Sequence, residues 1–190
     1  CALFPLQWQP EASIDVTAPH FNNQIETARQ IAMSLPDDMT LLVKDHPEML
    51  GYRSPKYLEK IARLPNVKLV NPATPMMKLL QTVEIVIGTT GTVFAEAAML
   101  RVPSIQLGDL GITLQLPNVQ KCTDMTTLAE NIRTLLTRDF TTEVYEKKLE
   151  NFVAAAFDVG FNVNYLGIWE RGDQANHKLL FDCYLDEILR

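Results

Sequence analysis

Cysteine is scarce in this chain. Its three cysteines, Cys1, Cys122 and Cys183, lie far apart with no CxxC or HxxxH spacing around them. A zinc ribbon and a secreted disulfide framework are therefore excluded, and a reducing compartment fits. Long hydrophobic runs are missing too. Runs such as residues 40–43 and 85–87 stop far short of the ~20 apolar residues that a membrane span needs. Positive charge is in deficit, with a formal net charge of -6, and no basic stripe is present to neutralise a nucleic-acid backbone. No internal repeat, low-complexity segment, GxGxxG, Walker motif or Ser-His-Asp order occurs, so dinucleotide-binding and P-loop chemistry have no support.

What is present is an ordinary globular composition: 190 residues, 47% hydrophobic and 21% charged. A chain of this size buries about 70% of its unfolded surface and needs neither metal nor disulfide to fold. It begins with Cys1 rather than methionine, and residues 1–6 read as a strand rather than a leader. The expectation is a piece of a longer protein.

Short β-rich runs alternate with amphipathic stretches. Strands are expected over 2–6, 40–44, 67–70, 84–87 and 102–107, with a polar, proline-bearing loop over 7–20. Ile25, Ala28, Ile31, Ala32 and Leu35 recur at helical spacing, predicting a helix over 21–35. Ser54 with Pro55 starts a helix over 54–63, and Thr74 caps one over 75–82. Further helices are expected over 92–100, 126–136, 143–157 and 174–189. The methionines, Met76, Met77 and Met99 among them, read as core filling. His20 and His177 have no partner pattern. Strand–helix alternation with short connections predicts an α/β fold, a doubly wound, Rossmann-like parallel sheet. The division expected is a Rossmann-like domain over 1–157 and a C-terminal loop and helix over 158–190.

In such sheets ligands bind beyond the carboxyl ends of the strands. Three loops there carry chemistry: Gln9-Pro10-Glu11-Ala12-Ser13, Lys44-Asp45-His46-Pro47-Glu48 and Gly88-Thr89-Thr90-Gly91-Thr92. The glycines of the last allow close backbone approach, the helix that follows directs free N–H groups outward, and three threonines add hydroxyls. A phosphate or diphosphate fits there; the plainer alternative is a glycine turn with a threonine cap. Lys44 and His46 can donate to a phosphate, and His46 can protonate a leaving group. Their plainer alternatives are a strand-end surface lysine and a turn cap. Glu96 can accept from a ribose or sugar hydroxyl, or can simply complement a helix dipole. Glu11 lines the cleft or anchors its own loop.

Taken in order, the segments Phe4-Pro5-Leu6-Gln7, Gln9-Pro10-Glu11-Ala12-Ser13, Asn23-Gln24 and Val43-Lys44-Asp45-His46-Pro47 resemble the capsular polysaccharide biosynthesis glycosyltransferases. Leu64-Pro65-Asn66-Val67, Gly88-Thr89-Thr90-Gly91-Thr92 with Glu96-Ala97, and Val102-Pro103-Ser104 continue the resemblance over roughly residues 1–136. Each motif is weak alone; the ordered set is fairly specific. It implies the C-terminal, donor-binding half of a GT-B enzyme, similar to Kdo transferases and bacterial GT-B sialyltransferases. The implied partners are a nucleotide-sugar donor, for which CMP-linked sugars are one candidate, a polysaccharide or glycolipid acceptor, and the N-terminal half of the same enzyme. The donor is a substrate, and neither a cofactor nor a metal is expected. A cytoplasmic location, with peripheral association at the inner membrane, goes with that implication.

On the same carry-over His46 and Glu11 are the catalytic candidates. Lys44, Pro47, Gly88, Thr89, Thr90, Gly91, Thr92 and Glu96 are the substrate-binding candidates. Departures are Asp45 where the family has glutamate, Arg101-Val102 where it often has glycine-lysine, and the lack of a second glutamate seven residues beyond Glu96. The last gives no support to a retaining mechanism of the Glu-x7-Glu kind. Nothing after Asp139 matches. Two alternatives stand beside this reading: a nucleotide-sugar 2-epimerase on the same fold, and a binding module without chemistry.

Overall fold

The computed structural model describes residues 1–109, 111–164, 167–168 and 171–189. Six strands form one sheet: β1 (Ala2–Pro5), β2 (Leu41–Lys44), β3 (Val67–Val70), β4 (Ile85–Gly88), β5 (Ser104–Gln106) and β6 (Val119–Lys121). Every pairing is parallel and the spatial order is β3-β2-β1-β4-β5-β6. This is the doubly wound α/β arrangement expected of the sequence. Its order reverses between β1 and β4, where the crevice of such a sheet opens.

The helices of the sheet domain are α1 (Ala12–Asp15), α2 (Gln24–Ser34), α3 (Pro55–Ala62), α4 (Met76–Leu80), α5 (Val93–Met99) and α6 (Leu128–Leu136), with α7 (Glu143–Val159) beginning in it. Strand side chains alternate between faces. Ala2, Phe4, Leu41, Val43, Ile85, Ile87 and Ile105 stand on one face and form a core with Ala28 and Ile31 of α2, Ile61 of α3, and Ile132 and Leu135 of α6. Leu3 and Val86 are equally buried on the other face. There α4 packs on α5, and Leu80, Phe94, Ala97 and Ala98 are buried.

The strand and helix alternation is found, with several local differences. The loop expected over 7–20 contains α1, and the helix expected from Phe21 starts at Gln24 after a 3₁₀ turn over Pro19–Phe21. Asn23 caps α2, accepting from the Glu26 N–H at 3.3 Å, so the apolar spacing overran the true start. Thr74 does not cap α4, whose N-cap is Pro75, and Ser54 sits at the N-cap of α3 without a side-chain bond. Strand β6 was not anticipated, since three residues with Gln120 at their centre carry no period-2 signal. Met77 and Met99 are 43% and 53% exposed rather than core residues, whereas Met39 and Met49 are buried.

The chain divides into two units, residues 1–149 and the part from Glu150 onward. In the second, Asp173 caps α8 (Gln174–Leu189) by accepting from the Ala175 and Asn176 N–H groups, both at 3.1 Å. The Asn176 side-chain amide, donating to the same carboxylate at 2.7 Å, and then those backbone bonds hold its carboxyl below the usual range. Phe161 meets Tyr184 edge to face at 5.5 Å. Among the described residues no helix is long and apolar enough to cross a membrane.

Candidate functional site

A cavity of about 650 Å³ opens at the carboxyl ends of β1, β2 and β4, with Gln7, Glu11, Lys44, His46, Thr92 and Glu96 among its walls. The parallel register sets Pro5 level with Lys44. Because Leu41 and Val43 face the α2 side, Lys44 turns its side chain to the other face, toward the loop after β3.

Lys44 is therefore not a surface lysine. It is only 4% exposed, and its ammonium donates to the carbonyls of Pro72 at 2.8 Å and Asp45 at 3.3 Å. An ammonium has three donors, so one is left over, and Lys44 is part of the cavity wall. Burial holds its pKa below the ordinary lysine value, partly countered by Asp45. No carboxylate among the described residues lies within 4.0 Å of it; the nearby Asp45 carboxylate is taken by Arg53 at 3.2 Å. The result is a buried, unneutralised cation in the wall of an open cavity.

His46 performs the plainer task foreseen for it and keeps the sharper one available. Its Nδ1 accepts the Glu48 N–H at 3.2 Å, capping the 3₁₀ turn over Pro47–Met49. An acceptor Nδ1 carries no proton, which places the proton of the neutral ring on Nε2. Pro47 opens that turn and lines the cavity beside the imidazole. Trp8, 47% exposed, stacks on His46.

The glycine-threonine loop is built differently from the expected row of hydroxyl donors. Thr89 is fully buried, its hydroxyl has no partner among the described residues, and it is not part of the cavity wall. Thr90 lines the cavity, but its hydroxyl donates to the Ser13 carbonyl at 3.0 Å and ties this loop to α1. Of the three threonines of this loop, Thr92 presents an exposed hydroxyl to the cavity with no partner among the described residues. Gly88 is a packing glycine, since a Cβ on it would stand 3.2 Å from the Phe94 ring. Gly91 has φ +118°, which a side chain would strain, and it does line the cavity. α5 has only seven residues and its N-cap Thr92 makes no side-chain cap bond, so its first N–H groups have no side-chain cap; Thr92 and Val93 are in the cavity wall.

Glu11 is exposed on the cavity wall and accepts from the Ser13 hydroxyl, while its own N–H is bound by Asp15 at 3.1 Å. It thus both lines the cleft and anchors its loop. Glu96, half-buried, lines the cavity from the first turn of α5. Eight of the ten candidates line this cavity, namely Glu11, Lys44, His46, Pro47, Thr90, Gly91, Thr92 and Glu96; Gly88 and Thr89 are not in its wall.

Sequence reasoning assigned no role to the glutamines that shape the site. Gln24 is fully buried. Its amide accepts from the Gln7 N–H at 2.6 Å and donates to the Gln7 carbonyl at 3.1 Å and to Gln9 at 2.6 Å. The loop after β1 thereby acquires a side chain where a strand would supply partners. Gly108 was missed as well: a Cβ there would stand 2.6 Å from the Thr89 carbonyl. Residues 72–76, which complete the wall, carry no chemical signal in sequence.

No protein-family model matches the chain, and no curated protein sequence matches it. Solved structures do. UDP-GlcNAc 2-epimerase from Methanocaldococcus jannaschii, in complex with UDP-GlcNAc and UDP, matches with TM-score 0.53 at 16% identity over 82% of this chain and 45% of that one. The spinosyn rhamnosyltransferase SpnG, complexed with thymidine diphosphate, matches with TM-score 0.52 at 19% identity over 81% and 41%. S. aureus MnaA with UDP matches with TM-score 0.51 at 12% identity over 78% and 38%. The likeness is one of fold. It places the sheet in the α/β, Rossmann-like class of GT-B neighbours, and this chain spans less than half the length of those proteins.

Proposed function

We propose that the chain is the nucleotide-sugar-binding half of a glycosyltransferase that builds surface or capsular polysaccharide. The observation that carries this is Lys44: a buried ammonium without a carboxylate partner, one donor to spare, in the wall of the switch-point cavity. Burying a charge is costly unless a counter-charge arrives, and a donor phosphate supplies one. His46, with its proton on Nε2, and Thr92 add two more donors. In glycosyl transfer the bond between anomeric carbon and phosphate oxygen breaks, and charge grows on that oxygen. Donors already fixed toward it stabilise the transition state more than the ground state. Glu96 would hold a sugar or ribose hydroxyl, and Glu11 stands across the cleft. The acceptor and its general base would be contributed by an N-terminal half, and this half alone would bind donor weakly and not turn over. A cytoplasmic or peripheral inner-membrane setting belongs to the same reading.

A second reading, a nucleotide-sugar 2-epimerase, is favoured by one observation: the epimerase likeness, at TM-score 0.53, equals that to the rhamnosyltransferase, at 0.52. A binding module without turnover is the third.

The test is a thermal-shift titration with CMP, UDP and GDP, on the parent protein and on His46→Ala and Lys44→Met. Ligand at 100 times its dissociation constant stabilises a fold by about 2.7 kcal/mol. A nucleotide-selective shift that both variants lose supports the reading, and the base preferred narrows the donor. A shift the variants retain removes Lys44 and His46 from the site. Consumption of UDP-GlcNAc without an acceptor by the full enzyme would favour the epimerase.

A further inference from the structure

Arg53 lines no part of the cavity, yet it touches two of the loops that make it. Its side chain is 5% exposed and pairs with Asp45, 4% exposed, with Nε 3.2 Å from Oδ1. The Nε–H is not aligned for a hydrogen bond, so this contact is one of charge. The fork is used elsewhere: Nη2 donates to the Gln7 carbonyl at 2.7 Å, and the guanidinium lies 4.8 Å above the Tyr57 ring. The same Asp45 oxygen that faces Arg53 accepts the His46 N–H at 2.8 Å. Gln7 in turn donates from Nε2 to the Thr90 carbonyl at 3.0 Å. One buried guanidinium therefore joins the His46 loop to the loop after β1, and Gln7 extends the connection to the Gly91 turn.

None of these groups has a reason of stability alone to be charged. A buried ion pair gains little over well-packed apolar side chains, because both ions lose their water. What the pair supplies is direction. Asp45 is held by Arg53 with its carboxylate under the His46 backbone, and that backbone sets where the imidazole of a capping turn points.

We infer that Arg53 is the positioning residue of this site, fixing the His46 loop so that the Nε2–H and the spare Lys44 donor face one point. The inference rests on reading the cavity as an anion site. Lysine at position 53 would keep the positive charge but lose the fork, and so could not reach Gln7 and Asp45 in the same geometry.

The experiment uses Arg53→Lys and Gln7→Ala, the second breaking the link to Thr90 without disturbing buried charge. The probes are 15N NMR of the His46 ring without ligand, and the dissociation constants of CMP, UDP and GDP. The parent should show an unprotonated Nδ1 and a protonated Nε2. Arg53→Lys should give a mixture of tautomers, an intact cooperative melt, and nucleotide binding weakened about tenfold, the order of one charge-assisted hydrogen bond. Gln7→Ala should weaken binding and leave the tautomer as in the parent. Arg53→Lys with the parental tautomer and affinity would overturn the inference. If Arg53→Lys fails to fold, the fallback is Asp45→Asn, which removes the charge through which Arg53 reaches the His46 N–H; the parental tautomer and affinity in that variant overturn the inference instead. A parent protein that answers to no nucleotide overturns the reading of the cavity itself, and the ligand-free tautomer then still reports on whether Arg53 orders the ring.

Discussion

The imidazole of His46 lies against the indole of Trp8, ring centroids 6.2 Å apart and planes inclined by 23°. A half-exposed indole stacked on a residue of the cavity wall is a built-in reporter of what enters the cavity. The chain has one other tryptophan, Trp169. In a Trp169→Phe background, the nucleotide that raises the melting temperature should change Trp8 emission with the same midpoint. His46→Ala should abolish both responses together. Saturable emission change without a thermal shift would mean that the ligand touches the rim and not the cavity.

Thr89 and Thr92 should separate by valine substitution. Thr89 has a buried, unpartnered hydroxyl, and replacing such a group by an isosteric methyl removes a desolvation cost of about 1 kcal/mol or more. Thr89→Val should fold with equal or greater stability in urea and keep its nucleotide affinity. Thr92→Val should fold normally and bind more weakly. Loss of binding in Thr89→Val would return that hydroxyl to the ligand.

Gly108 is a test of packing. Its N–H donates to the Thr89 carbonyl at 2.9 Å, and an added Cβ would also stand 3.0 Å from the Thr90 methyl. Gly108→Ala should cost about 1–3 kcal/mol in denaturant unfolding, as overpacking does. The Gly88–Thr92 loop should be pushed forward into the cavity. A variant as stable as the parent would show that the backbone there yields freely.

Tyr145 sets an alkaline limit. Its hydroxyl donates to the Ala98 carbonyl at 2.7 Å. Burial first, and then Glu146, push its pKa up to about 12, against the pull of Arg101. The unfolded chain releases this proton near pH 10, so the folded state holds it more tightly. The stability it contributes is full below about pH 10 and is lost as pH rises from there through about 12. Tyr145→Phe should lose about 1 kcal/mol at neutral pH, and its stability should fall less steeply across that alkaline window. An unaltered profile would remove Tyr145 as its source.

The sequence by itself determined the class of fold, because alternating buried strands and one-sided helices leave few ways to cover both faces of a parallel sheet. It also pointed to the loops, since the carboxyl ends of β1, β2 and β4 carry Glu11, Lys44, His46 and the Gly88–Thr92 turn. Periodicity speaks of faces and not of ends, which is why helix α2 was begun at Phe21 rather than Gln24 and three-residue β6 was passed over. What only the tertiary structure decided is which polar groups are spent and which are free. The Thr90 hydroxyl is taken by a carbonyl 77 residues away in sequence, Thr89 faces inward, and the carboxylate beside Lys44 is held by Arg53. Those assignments are hydrogen bonds and charge pairs between distant segments, and no local spacing encodes them.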